Sequence, residues 1–284
     1  MNKRFGLYEP PAITVSRGVY SPKTGMLGRL GFSSLEAALI RKDLKAFTRR
    51  RELMSIFIFP IIMIIIPFFQ TFGSTGSSGA PDIFQISTYM AAYTFIFPAS
   101  IMAISLGNFM IGEEGQGVWR IFASPISAHT LVKSKFFFIV IFALIVLAIT
   151  GTIGVVIYQP TFKVIIIGLF EGIFLVFTLG TISLSNGISG ADFTETPRPR
   201  MIRQKTAILN FIACGLAGLG VLAPFIPYVI STTLSTFMPS FGTLPYLEPY
   251  MATALSAVIA TVIAVIFYRI AIDNAKELLS KGQI

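Results

Sequence analysis

Apolar runs of about twenty residues recur along this chain, and their length restricts what it can fold into. A helix needs about 20 apolar residues to cross a hydrocarbon layer about 30 Å thick. Of the 284 residues, 54% are hydrophobic and only 12% are charged, whereas soluble domains carry about 25% charged residues. A transmembrane β-barrel would instead show short segments of alternating hydrophobicity. We therefore predict an all-α polytopic membrane protein.

The runs predict six transmembrane helices, with approximate bounds 53–72, 84–111, 136–158, 162–189, 207–230 and 249–271. Lys and Arg fall on one side of the membrane: before the first span, in the connections 112–135 and 190–205, and in the tail. The opposite side carries only Lys163. Because cytoplasmic connections are enriched in Lys and Arg, we expect a multi-pass protein of the cell membrane with both termini in the cytoplasm. The net charge of +9 belongs to this pattern and indicates no nucleic-acid partner.

The segment before the first span divides at residue 32. Residues 1–32 are polar, with Gly and Pro, and predict a cytoplasmic N-terminal arm. Ser33 and Glu36 then have the spacing of a capping box, which marks a helix start. At about 100° per residue, this helix gathers apolar residues on one arc and basic residues on another. The apolar ones are Ala37, Ile40, Leu44 and Phe47, and the basic ones include Arg41, Lys45 and Arg49.

Such an amphipathic helix is typical of the membrane interface, with its apolar face in the lipid and its basic face toward lipid phosphates. Two plainer interpretations stay open. One is a solvated basic helix, and the other is a basic segment that only sets the orientation of the chain.

Glu171 is the ionisable residue that falls inside a predicted span. It follows the turn at residues 160–162 by about nine residues, which is about 14 Å of helix and near the bilayer centre. A charge at that depth costs roughly 2.5–3.5 kcal/mol on insertion scales. Two roles remain open: a structural polar contact, or a place in the path of a substrate.

A short stretch between the second and third spans, GEEGQGVWRIFASPIS at 112–127, is too apolar for a plain loop. Glu113 and Glu114 are its acidic pair. One or two turns of helix follow, with bulky apolar residues around much of the circumference and a proline as the stop: Val118, Trp119, Ile121, Phe122 and Pro125. Such residues need a membrane surface or a protein partner.

The sequence contains no phosphate-binding loop, no cluster of metal ligands and no recognisable set of nucleophile and base. His129 is its only histidine and Cys214 its only cysteine. We therefore expect that the chain is not an enzyme and has no cofactor of its own.

These features together resemble the permease subunit of the ABC-type-two exporter family. In that family a cytoplasmic hairpin between the second and third spans reads as an acidic residue, Gly, a short apolar helix, Ser-Pro and then a basic residue. Here the corresponding residues are Glu113, Glu114, Gly117, 118–122, Ser124, Pro125 and Lys135. The segment 39–63, with its basic helix and Pro60, also matches the family pattern of a connecting helix that leads into the first span.

The resemblance implies an ATP-driven exporter in which residues 33–284 form the six-span permease domain. This chain would line the substrate pathway with a second six-span unit, as a homodimer or a heterodimer. ATP and Mg would be bound by separate ATPase subunits. These subunits would dock on the hairpin 112–135, through Glu113, Glu114, Gly117, Val118, Trp119, Phe122 and Pro125.

Two other classes of function stay open. A secondary transporter or channel would use Glu171 as a proton or ion site, and a membrane scaffold would need no such group. The fifth span carries a run of small residues at 213–220, which indicates either internal packing or a protomer interface. Pro224 and Pro227 follow in the same span and can interrupt its helix.

Overall fold

The structure, a computed structural model, is helical wherever it is described apart from turns and short connections. It describes residues 24–49, 83–124, 126–193, 202–237 and 245–281, with single helical positions at 58, 60, 62, 63, 65 and 69. Within these ranges the only β pairing is an isolated bridge between Ala191 and Ile202. The predicted all-α class is therefore confirmed for the described part of the chain.

Nine α-helices and two 3₁₀ turns lie within the described ranges. The helices are α1 (Met26–Arg29), α2 (Ser34–Arg49), α3 (Ile83–Phe109), α4 (Trp119–Phe122), α5 (Ala128–Tyr158), α6 (Phe162–Gly190), α7 (Gln204–Leu222), α8 (Ile226–Phe237) and α9 (Pro249–Lys281). The 3₁₀ turns cover Gly112–Val118 and Ala223–Phe225.

Five stretches are long and apolar enough to cross a membrane. They are Thr88–Gly115, Ala128–Tyr158, Phe162–Gly190, Gln204–Ser231 and Pro249–Ser280. The first predicted span, 53–72, lies mostly outside the described residues, as does most of the arm at 1–32. A sixth span and a cytoplasmic arm therefore stay predictions.

Two helices extend beyond their predicted spans. Helix α5 begins at Ala128, eight residues before the predicted 136, because Ser127 caps it: the backbone N–H of Thr130 donates to Ser127 Oγ at 3.1 Å. Helix α9 continues to Lys281, ten residues past 271. An apolar run marks the part of a helix that lies in lipid, whereas the helix itself ends where its backbone bonds end. The non-helical part of the predicted hairpin is therefore shorter than 112–135.

Helix α6 lies at the centre of the bundle and packs against α3, α5, α7 and α9. Its contact with α3 is close because glycines occupy both sides of it. A Cβ atom added at Gly107 of α3 would lie 2.5 Å from Ser183 Cβ, and one at Gly187 of α6 would meet the carbonyl oxygen of Gly107. Backbones that approach this closely are typical of small residues in membrane helix pairs.

Candidate functional site

The start of α2 is fixed by the predicted capping box. The backbone N–H of Ser33 donates to Glu36 Oε2 at 2.7 Å, and the N–H of Glu36 donates to Ser33 Oγ at 3.3 Å. Lys133 of α5 adds a charged bond, because its Nζ donates to Glu36 Oε2 at 3.2 Å. The same Nζ lies 4.9 Å from the ring centre of Phe32. The first turn of α2 is thus tied to the first turns of α5.

Glu36 stays ionised through these contacts. Burial acts to raise the pKa of Glu36, but the backbone N–H of Ser33 and the ammonium of Lys133 outweigh it, and the pKa is lowered from its ordinary 4.5.

The buried face of α2 packs on α5. Ala37, Leu39, Ile40 and Phe47 are buried, and the ring of Phe47 lies 4.8 Å from that of Phe142 of α5. We predicted that Leu44 shares this apolar face, but its side chain is exposed. Contact with α5 therefore accounts for most of the apolar pattern that we had assigned to lipid.

The three basic residues predicted to face lipid phosphates, Arg41, Lys45 and Arg49, are all exposed on α2. Arg41 also bonds within the chain, since its Nη2 donates to the carbonyl oxygen of Thr24 at 2.8 Å. The position of α2 relative to a membrane surface stays a prediction.

Lys135 is buried at the junction of three elements. Its side chain is 1% exposed, and its Nζ donates to Asp43 Oδ1 of α2 at 2.9 Å and to Glu114 Oε1 of the 3₁₀ turn at 2.8 Å. Lys42 also donates to Glu114 Oε1 and lies 3.8 Å from Asp43 Oδ1. We call Lys42, Asp43, Glu114 and Lys135 the charge cluster. Two ammonium groups face two carboxylates, so the cluster is neutral, as buried charges must be to avoid a large desolvation cost.

The charge cluster changes our interpretation of Glu114. The resemblance implies that this carboxylate docks an ATPase, but it accepts bonds from Lys42 and Lys135 of the same chain. Glu113 beside it is half-buried and also interacts within the chain. Glu114 therefore holds the hairpin to α2 and α5. Sequence reasoning missed Asp43 and the partnership of Lys135, and the one available signal was an acidic residue among the basic ones of α2.

The apolar part of the hairpin has one buried side and one exposed side. Val118 and Ile121 are buried, and Ile121 joins the same apolar core as Met110 and Leu131. Trp119 is 60% exposed, and Phe122 is half-buried. Val118, predicted as a docking residue, is therefore an anchor of the hairpin. Trp119 is the bulky apolar side chain that this segment presents outward.

Two glycines of the hairpin have different roles. Gly115 has φ 48° and ψ −133°, a backbone conformation that side chains disfavour, and it ends the first half of the 3₁₀ turn. At Gly117 an added Cβ would meet no described atom within 4 Å, so its role in the family pattern has no steric basis in this structure. Pro125 lies outside the described residues.

Glu171 is buried in the centre of the bundle, 2% exposed. Its Oε2 lies 2.6 Å from Ser256 Oγ of α9, and the same Oγ lies 2.8 Å from the carbonyl oxygen of Val221 of α7. Ser256 has one hydroxyl hydrogen, and both contacts are made together when the carboxyl of Glu171 carries a proton and donates it to Ser256. Among the described residues Oε1 of Glu171 has no hydrogen-bond partner.

A cavity of about 400 Å³ adjoins this carboxyl. It lies beside the 3₁₀ turn that separates α7 from α8, where Pro224 lacks the N–H that a continuous helix would use. Aliphatic and aromatic side chains form most of its wall. Among the lining residues, Glu171 supplies a carboxyl group and Lys163 supplies an amine. The Nζ of Lys163 lies 4.8 Å from the ring centre of Tyr250. The sequence placed Glu171 in the membrane but gave no sign of this cavity.

In the described part of the chain, no three His, Cys, Asp or Glu side chains lie close enough together to hold a metal ion.

Comparison with protein-family models, with curated proteins and with solved structures finds no match to this chain. The interpretation of the site therefore depends on the residues and their geometry.

Proposed function

We propose that this chain is the transmembrane permease subunit of an ATP-driven exporter, as the resemblance to ABC-type-two permeases implies. The observation that carries the proposal is the structure of residues 112–127, the first part of the hairpin. It joins two membrane-length helices, it is fixed to the bundle by buried contacts, and it presents Trp119 outward. An exposed tryptophan on a rigidly held segment is typical of a protein-binding surface.

The charge cluster supports a route for coupling. A partner that binds Trp119 would press on α4, whose Ile121 lies in the core between α3 and α5. The Glu114–Lys135 bond would carry the same displacement to α5, and the Asp43–Lys135 bond would carry it to α2. Because packed cores and buried ion pairs deform little, a movement of the hairpin becomes a movement of whole helices.

The pathway in this proposal lies between two six-span units, and α7 offers a face for the second one. An added Cβ at Gly215, Gly218 or Gly220 would meet no described atom within 4 Å. Packing against the described part of the chain therefore does not account for these three glycines. Small residues on an outward face allow a second helix to approach closely, and this supports the interpretation of 213–220 as a protomer interface.

The experiment is copurification of the full-length chain with an ATPase from native membranes, followed by an assay of ATP hydrolysis. Trp119→Ala should weaken the complex by about 2 kcal/mol, or about thirtyfold, and leave the melting temperature of the chain unchanged. Ile121→Ala is the matched control on the buried side of α4, and it should lower the melting temperature. Retention of the ATPase at full stoichiometry by Trp119→Ala would contradict docking at this surface.

The choice of Trp119 over Glu114 for this test follows from the charge cluster. Charge reversal at Glu114 would place three ammonium groups together around Asp43, so a lost partner could then reflect a disturbed hairpin.

A secondary transporter or channel is the second candidate, and the buried Glu171–Ser256 contact favours it. Such a protein would move its substrate without an ATPase. Transport by the purified chain in vesicles, driven by a proton gradient and abolished by Glu171→Gln, would support this candidate over the first.

A further inference from the structure

The cavity beside Glu171 combines features that point to a ligand. Its volume of about 400 Å³ lies within the range of small-molecule sites, about 300–1,000 Å³. Its wall includes the aromatic side chains of Tyr89, Phe225 and Tyr228. Glu171 is one of the residues that line this apolar cavity, and its side chain is buried.

We propose that this cavity binds an amphiphilic amine, with the nitrogen against Glu171 and the apolar body along the aromatic wall. A carboxylate in an apolar wall is costly without an opposite charge, and a ligand ammonium in the cavity supplies that charge. The aromatic faces favour a cation over an anion through their negative charge density. The ligand is therefore expected to carry a single basic nitrogen at one end of a hydrocarbon body.

Lys163 does not oppose this arrangement. It precedes Glu171 by eight residues on α6, which places it about 12 Å further along the helix. Its ammonium lies over the ring of Tyr250. An amine seated at Glu171 is thus separated from Lys163 by the length of the ligand's own hydrocarbon body.

The proton balance of binding is simple. The proposed step starts from the protonated carboxyl of Glu171, in which Ser256 Oγ keeps its contacts with Oε2 and with the carbonyl oxygen of Val221. A neutral amine accepts this proton and becomes an ammonium, and Glu171 becomes its carboxylate partner. No charge is added to the membrane interior, since an ion pair replaces a neutral acid and a neutral base.

Identification of such an amine as the exported substrate would rest on the proposed function, but its binding would not. Described residues of this chain line the cavity, and a binding assay needs no ATPase. Failure of amine binding and failure of ATPase copurification are therefore separate results.

The test uses the full-length chain in lipid nanodiscs with Cys214→Ala and Thr88→Cys, since Thr88 lines the cavity. The rate of modification by a small maleimide is measured against decylamine and against decanol, which has the same hydrocarbon chain. We expect decylamine to protect the thiol at a concentration at least tenfold lower than decanol does. Glu171→Gln should remove this difference, whereas the matched control Lys163→Gln should retain it.

Two results would overturn the proposal. Equal protection by decylamine and decanol would mean that the cavity accepts hydrocarbon chains without using the carboxyl. Absence of protection by decylamine in a chain that still melts at its normal temperature would mean that no amine enters the cavity.

Discussion

Lys135 and Asp43 are 92 residues apart in the sequence, yet Nζ of the lysine lies 2.9 Å from Oδ1 of the aspartate. Glu114 accepts a second bond from the same ammonium at 2.8 Å. One buried cation therefore holds together the N-terminal helix α2, the hairpin and the start of α5. The hairpin is built into the bundle by this contact, and its stability should depend on it.

Removal of the Lys135 ammonium should destabilise the protein strongly. Lys135→Ala removes the ammonium that bonds both Asp43 and Glu114, and loss of one partner of a buried pair costs about 3–5 kcal/mol. We expect a lower melting temperature in detergent and a lower yield of folded protein. Lys276→Ala is the matched control, because Lys276 bonds Asp273 at 2.7 Å with both side chains well exposed, and such pairs contribute about 0–1 kcal/mol. Equal melting temperatures for the two variants would contradict the role of the cluster.

Glu36 should contribute stability that depends on pH. Its pKa is lowered in the folded state from the ordinary 4.5, so its contribution is complete above that value and is lost as pH falls below it. Glu36→Gln should therefore lower the melting temperature at pH 7. The difference between wild type and variant should shrink as the pH is taken below 4.5. A difference that stays constant across this window would show that the charge of Glu36 is unimportant.

A glycine in the close contact of α3 with α6 and a glycine on the outward face of α7 should respond differently to substitution by alanine. Gly107→Ala would place a methyl group 2.9 Å from the backbone nitrogen of Leu184, and overpacking of this kind typically costs about 1–3 kcal/mol. Gly218→Ala meets no described atom within 4 Å, and alanine favours a helix by about 1 kcal/mol over glycine. Thermal unfolding of the monomeric chain should show a decrease for the first and none for the second. A neutral Gly107→Ala would mean that the helices can separate at no cost.

The orientation of the chain can be tested with single cysteines in a Cys214→Ala background. Thr161→Cys, in the turn between α5 and α6, should react with an impermeant thiol reagent in intact cells. Ser127→Cys, at the capped start of α5, should react only after the cells are opened. The predicted orientation follows from the preference of Lys and Arg for the cytoplasmic side. Labelling of Ser127→Cys from outside would contradict it and would place the hairpin on the side opposite to a cytoplasmic ATPase.

The sequence predicted the membrane helices well, because the length of an apolar run is a property of the chain alone. The runs at 84–111, 162–189 and 249–271 each correspond to a helix of membrane length. Helix ends were less accurate. Ser127 was visible in the sequence as a cap residue, but an apolar run cannot show where a helix continues into polar surroundings.

The docking role of the hairpin stays a prediction, and the burial of its residues could be predicted only in part. Trp119 is exposed as a docking residue must be, whereas Val118 and Glu114 are directed into the protein. The burial of Glu114 depends on Lys135, which follows it in sequence, and on Lys42, which comes from another helix. Pairing across the fold is a tertiary property, and no local pattern carries it. The cavity was missed for the same reason, since five helices and the 3₁₀ turn between α7 and α8 contribute residues to its wall.

The charge cluster also imposes an order on the synthesis of this protein. Asp43 leaves the ribosome 92 residues before Lys135 does, an interval on the order of 5–20 s at typical rates of about 5–20 residues per second. Throughout that time α2 has an acidic residue without its lysine and an apolar face without α5. The N-terminal helix can therefore reach its final position only after α5 has begun to emerge.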